Sequence, residues 1–191
     1  VAFEAGAEYM MGTESRDEFG ECLAPEEANK YTMGDSIMFS TVDVGHPTVY
    51  HRPAFFFFIT KLPFFKNLTG INDKNGLHRF IFRRDSGIYY GFWWIEFGGQ
   101  LNTIYDNADI TLELRKLVYG FWDYIKNSGK FEGVENLELS HVPSVTGKRE
   151  SRRFVGDTIL TQNHIDTKYD FDDAVAIAGW AMDVHAPLGI Y

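Results

Sequence analysis

One segment constrains the fold more than any other. From Asp109 to Gly129 the apolar residues Ile110, Leu114, Leu117, Val118, Phe121 and Ile125 recur at spacings of three and four, the period of one face of an α-helix. Asp109 is placed to accept from the free amides of a first turn, and Gly129 to end the last. This is the one long helix the sequence predicts, so the rest of the core falls to extended chain.

Several segments have that character. Residues 36–44 alternate and are rich in β-formers, predicting a strand. Residues 77–84 lead into Asp85-Ser86-Gly87, whose residues suit positive φ, and the chain returns through 88–97 with β-branched and aromatic side chains; this predicts an antiparallel hairpin. Residues 136–142 and 152–160 read as two further extended pieces, and Thr161 is placed to cap a short helical turn. The resulting fold class is α+β, a mainly antiparallel or mixed sheet with one long helix. With no internal repeat or Gly/Ser linker, residues 1–191 read as one unit: an acidic opening over 1–30, sheet and helix over 31–160, and a closing stretch over 161–191.

Between His46 and Leu68 the pattern breaks. Pro47, Pro53 and Pro63 interrupt Phe55, Phe56, Phe57, Phe58, Phe64 and Phe65. Six phenyl rings carry too much apolar area to stand in water, so this arm packs into a core, a subunit interface or a substrate pocket, with core packing favoured.

Charge narrows the function. The formal net charge is −9, and within the first 27 residues Glu4, Glu8, Glu14, Asp17, Glu18, Glu21, Glu26 and Glu27 face a single base, Arg16. That balance argues against a nucleic-acid partner. The most apolar run, residues 55–59, is far too short to span a bilayer, so no membrane partner is expected. The single cysteine, Cys22, excludes an internal disulfide and reads as a bystander. The chain starts on Val1 with no apolar leader and ends on Ile190-Tyr191, so both ends read as cuts through a longer polypeptide. Its expected compartment is the cytoplasm, with the periplasm left open.

The candidate chemistry is sparse. No Gly-x-Gly-x-x-Gly turn, Gly-Lys-Ser/Thr phosphate loop or Ser-containing nucleophile elbow is present, so the usual dinucleotide and hydrolase signatures are missing. Asp170, Asp172 and Asp173 with Asp183 and His185 match no metal-binding loop, and a solvated acidic turn is the better reading; no metal is expected. Residues 148–153, Lys-Arg-Glu-Ser-Arg-Arg, are more informative. An extended backbone would put Arg149, Ser151 and Arg153 on one face and Lys148, Glu150 and Arg152 on the other. Guanidinium groups bind phosphate or carboxylate bidentately, so the array suits a cofactor phosphate, an acidic substrate or the chain's own acidic opening, and composition favours the last, a structural ion-pair network.

The same stretch, Gly147 through Asp157, followed by Ile159-Leu160-Thr161-Gln162, Asp173-Ala174-Val175-Ala176 and Gly179 through His185, resembles a large bacterial family of FAD-dependent oxidoreductases, often labelled xanthan-lyase-like. Ala5-Gly6-Ala7-Glu8-Tyr9, Leu23-Ala24-Pro25-Glu26, Thr32-Met33-Gly34, Trp93 through Gly99, Val118-Tyr119-Gly120 and Trp122 through Lys126 resemble it in the same order, so the likeness covers nearly the whole chain and is weakest over 46–75. It implies the substrate-domain portion of a flavoprotein, an interior segment whose FAD is held largely by glycine-rich stretches elsewhere, with 161–191 returning toward the FAD domain; the isolated chain would then be inactive.

The resemblance also implies roles. Arg149, Glu150, Arg152 and Arg153 are implied to face the flavin or an acidic or hydroxyl-rich substrate, with Trp93, Trp94 and Glu96 lining the same cavity. His185 and Arg149 are the implied catalytic residues, since imidazole titrates near neutrality and substrate oxidation by flavin releases a proton alongside a hydride. Asn102 stands where the family usually places Asp, and reads as a turn residue. The expected partners are a small-molecule substrate, in particular a carbohydrate, and the remainder of the flavoprotein. Two alternatives stay open: a carbohydrate- or protein-binding module without chemistry, and an assembly fragment that docks through its phenylalanines.

Overall fold

The computed structural model describes residues 1–63, 65, 81–85, 87–91, 94–180 and 182–191, with 82–85 by their backbone alone. The long helix, α2, spans Asn107–Asn127, with α1 at Arg16–Phe19 before it and α3 at Gln162–Asp166 after it. α2 starts earlier than the apolar pattern predicts. Asp109 lies inside its first turn, where a carboxylate favours the helix dipole, and Asp106 takes the flanking position. The earlier start follows from a self-bonded turn: Asn102 Oδ1 accepts from the amides of Ile104 and Tyr105 at 3.0 and 3.1 Å, and Asp106 Oδ2 accepts from the Asn102 amide at 2.9 Å. Asn102 is thus the turn residue expected of it. At the far end Gly129 takes φ +70° just past the last turn. Ile110, Leu114, Leu117, Val118, Phe121, Trp122 and Ile125 are all buried.

The helix packs on antiparallel strands. β3 (Ser40–Asp43), β4 (Ile81–Asp85), β5 (Ile88–Gly91) and β7 (Leu137–His141) form a four-stranded sheet in the order β4-β5-β3-β7. The predicted hairpin is its β4-β5 pair; residues 77–80 and Ser86 lie outside the described residues. Two predicted strands are each split. The 36–44 piece begins one residue early, with Asp35–Ser36 forming β2 ahead of β3, and within 88–97, Glu96–Phe97 forms β6 after β5. β2 pairs with β6, and Phe39, between the two sheets, fills the space left by the missing side chain of Gly91, where a Cβ would meet its ring at 2.4 Å. Alternation survives the break: Ile37, Phe39 and Thr41 are buried and Met38 is exposed.

A third small sheet ties the opening segment down, β1 (Tyr9–Met10) pairing with β8 (Arg153–Phe154). Of the extended piece predicted over 152–160 only β8 forms; residues 155–160 are exposed and irregular. Thr161 does precede α3, its amide donating to His164 Nδ1 at 3.1 Å. In the phenylalanine arm, Phe57 and Phe65 join the core edge-on to Tyr191 and Tyr124, Phe55 stands edge-on to Tyr119, and Arg52 covers Phe56 and Phe58. Phe64 lies outside the described residues. No helix among the described residues is long and apolar enough to cross a membrane.

Candidate functional site

The β2-β6 ribbon organises the charged residues. Ser36 pairs with Glu96 on one side and exchanges both backbone hydrogen bonds with Gly147 on the other, at 2.9 and 2.8 Å. Arg149, two residues beyond Gly147, is thereby brought beside Glu96, and its Nη1 donates to Glu96 Oε1. Glu96 is 5% exposed, so its charge is strongly felt by whatever lies beside it.

The C-terminal turn delivers the third member. The Gly99 amide donates to Pro187 O at 2.9 Å and the Ile190 amide to Glu96 O at 3.1 Å. Backbones approach this closely because Gly99 and Gly189 lack side chains: a Cβ would lie 2.1 Å from Thr32 O at Gly99 and 2.0 Å from Glu96 O at Gly189. The turn sets His185 against β6, with Nδ1 2.7 Å from Glu96 Oε2 and Nε2 3.1 Å from Asp183 Oδ2. Burial works against the charged imidazole, but the hydrogen bonds and charges of Glu96 and Asp183 outweigh it and hold the His185 pKa above its ordinary value. Glu96 therefore sits between two cations, Arg149 and a readily protonated His185, while the Asp183 side chain is 65% exposed and free to exchange with solvent.

The other predicted residues have partners of their own. Arg153 bridges Glu14 and Glu150, and Glu150 Oε2 also accepts the Met33 amide at 2.7 Å. The Arg152 guanidinium lies 3.9 Å over the Phe3 ring and 5.3 Å from that of Tyr9, with its Nε buried and unbonded. Glu150 and Arg153, expected on opposite faces, pair with each other because residues 148–152 are not a regular strand. These contacts fasten the acidic opening segment to the body. Trp94 packs edge-on against Phe121, centroids 5.4 Å apart; Trp93 lies outside the described residues.

Sequence reasoning missed Asp35. Its carboxylate is wholly buried and receives Thr146 Oγ1 at 2.7 Å, Asn107 Nδ2 at 2.8 Å and Lys148 Nζ at 3.4 Å, and Lys148 also donates to Thr103 O. Lys148 and Arg149 thus clasp two carboxylates on paired strands, Asp35 and Glu96. An acid immediately ahead of an alternating β-pattern, one residue before the predicted strand over 36–44, was the available signal. Among the described residues, no three His, Cys, Asp or Glu side chains gather as metal ligands.

A family model described as FAD dependent oxidoreductase matches residues 1–190. No curated protein and no solved structure matches the chain.

Proposed function

The chain belongs to the FAD-dependent oxidoreductase family, and on that premise we propose that it forms the substrate-facing side of a flavin site centred on Glu96, Arg149 and His185. FAD is the cofactor this family implies. The described residues do not fit its pyrophosphate: each glycine without room for a Cβ is packed on the chain's own atoms, as Gly12 is on Asn29, Gly34 on Phe97 and Gly120 on Phe57, and the cations of 148–153 other than Arg152 are bonded to internal carboxylates. The phosphate-binding glycines are therefore assigned outside this sequence, and what this chain contributes is proton handling.

The observation that carries the reading is the imidazole of His185 held at 2.7 Å by buried Glu96. Glu96 fixes the ring by accepting from Nδ1, a standard way of orienting an acid-base histidine. Displacement of exposed Asp183 by a substrate hydroxyl leaves Nε2 facing that hydroxyl. With that carboxylate gone the ring releases its Nε2 proton to solvent, a release Arg149 eases by offsetting the charge of Glu96, and His185, now neutral, takes the hydroxyl proton. Flavin chemistry supplies the acceptor for the accompanying hydride. The substrate class is a sugar or another hydroxylated molecule.

The test is anaerobic reduction of the yellow holoprotein by a panel of sugars and polyols, followed by loss of flavin absorbance. At least one should bleach the flavin, and His185→Gln should slow bleaching by about 10² or more with folding intact. Wild-type rates in both His185→Gln and Arg149→Ala, or a folded holoprotein that cannot take up FAD, sink the reading. A second reading, a binding module without chemistry, draws support from Val175, Ile177 and Trp180, exposed at 100%, 102% and 87%; it predicts ligand binding with no reduction.

A further inference from the structure

Two polar groups of one buried residue bracket Arg149. Thr103 lies in the turn ahead of α2 and is wholly buried. Its carbonyl accepts from the Lys148 ammonium, and its hydroxyl donates to Glu150 O at 3.0 Å. Arg149 stands between those two contacts, and among the described residues its own side chain is bonded to Glu96 alone.

We infer that Thr103 is a positioning residue, holding the chain at 148–150 so that the Arg149 guanidinium stays on Glu96 and offsets the charge that His185 faces. The β-ladder does not fix that direction. It ends at Gly147, whose backbone pairs with Ser36, and residues 148–152 are not a regular strand, so side-chain alternation no longer dictates where residue 149 points. The Glu150 carboxylate is tied to the Met33 amide at 2.7 Å and to Arg153, which fixes the end of a side chain and not the main chain behind it. Among the described residues, the Thr103 hydroxyl makes the one hydrogen bond to the main chain of residues 148–151. The turn behind it is braced, since Asn102 Oδ1 accepts from the amides of Ile104 and Tyr105.

The consequence reaches His185 through one carboxylate. Glu96 gives Oε1 to Arg149 and Oε2 to His185 Nδ1, so a guanidinium on the first oxygen weakens the hold of the second on the imidazole proton. Among the described residues, the charged groups that face His185 are Glu96 from β6 and Asp183 from its own turn, with Arg149 behind Glu96. Once the main chain at 150 is released, the partly exposed Arg149 side chain can swing into water. Glu96 then keeps its full charge for His185. The assignment rests on the Glu96-centred site proposed above, but not on its flavin chemistry.

The experiment is a proton NMR titration of His185 in the folded chain. Thr103→Val, which keeps the branched shape and loses the hydroxyl, should raise the His185 midpoint by about half a pH unit or more. Thr103→Ser, which keeps the hydroxyl, should leave it at the wild-type value. A residue that served stability alone would weaken the fold in Thr103→Val without moving the midpoint. Arg149→Gln should raise the midpoint by itself, and Thr103→Val added to it should raise it no further. If Thr103→Val does not fold, Asn102→Ala, at an exposed position, loosens the same turn and should raise the midpoint in its place. An unmoved or lowered midpoint in the folded variant, equal rises in Thr103→Ser and Thr103→Val, or a further rise on top of Arg149→Gln overturns the assignment. The titration needs neither flavin nor substrate, so its failure is distinct from a failure of the holoprotein to be bleached.

Discussion

His185 Nδ1 and Glu96 Oε2 lie 2.7 Å apart across 89 residues of sequence, and with the Asp183 contact at the other ring nitrogen the imidazole is held between two carboxylates. The folded state thus binds a proton at His185 more tightly than the unfolded chain does. The resulting stabilisation is fully present below the ordinary histidine pKa and is lost as pH rises through the raised folded value. Proton NMR of His185 should give a midpoint above that of an unhindered histidine, and Glu96→Gln should lower it. A His185 midpoint at or below the ordinary value contradicts the arrangement.

Gly120 reverses a familiar rule. Glycine to alanine inside a helix ordinarily stabilises by about 1 kcal/mol. At Gly120 the added Cβ would lie 2.0 Å from Phe57 O and 2.9 Å from Ile59 Cγ2, so the phenylalanine arm must move off the helix. Gly120→Ala should therefore destabilise by about 2 kcal/mol, measured by urea denaturation. A stabilised variant would mean that the arm does not rest on α2.

Asp35 is the buried anchor of the ribbon. Replacing it by alanine strands the Asn107 amide, the Thr146 hydroxyl and the Lys148 ammonium. Removing one member of a buried, hydrogen-bonded pair costs about 3 kcal/mol, and Asp35→Asn, which keeps the shape and loses the charge, should cost less. No loss in Asp35→Asn would show that the Lys148 charge plays no part, and equal losses in the two variants that the charge carries the whole effect.

The Arg153 bridge to Glu14 and Glu150 is partly open to solvent, so its worth is modest, about 1 kcal/mol. Its effect should be local: Arg153→Ala should speed amide hydrogen exchange in β1 and across residues 11–14 while leaving α2 at its original rate. Faster exchange throughout would instead make the bridge part of the global fold.

The long helix, the β4-β5 hairpin and the Thr161 cap were legible because each depends on neighbours within a few residues. The two interrupted strands were not. Nothing local to 36–44 reveals that Phe39 needs the empty space at Gly91, and nothing local to 88–97 reveals that Glu96 pairs with Ser36 in a different sheet. At the candidate site, residue types could be singled out, and Glu96, Arg149 and His185 do meet. Their meeting depends on long-range backbone contacts at Gly147, Gly99 and Gly189. Asp35 escaped notice because its partners, Asn107 and the Thr146–Lys148 stretch, lie more than 70 residues away in sequence.

The segment 174–184 has a consequence for the protein in solution. Val175, Ile177 and Trp180 face water, and the main chain over residues 175–180 and 182–184 makes no backbone hydrogen bond among those described. Such a stretch is a template for pairing between molecules, opposed at long range chiefly by mutual repulsion of copies that each carry a net charge of −9. Added salt shortens the reach of that repulsion and strengthens apolar association, so ionic strength acts as the control on the colloidal state. Dispersed at low salt, the protein should cluster as salt is raised, the opposite of a particle held together by ion pairs.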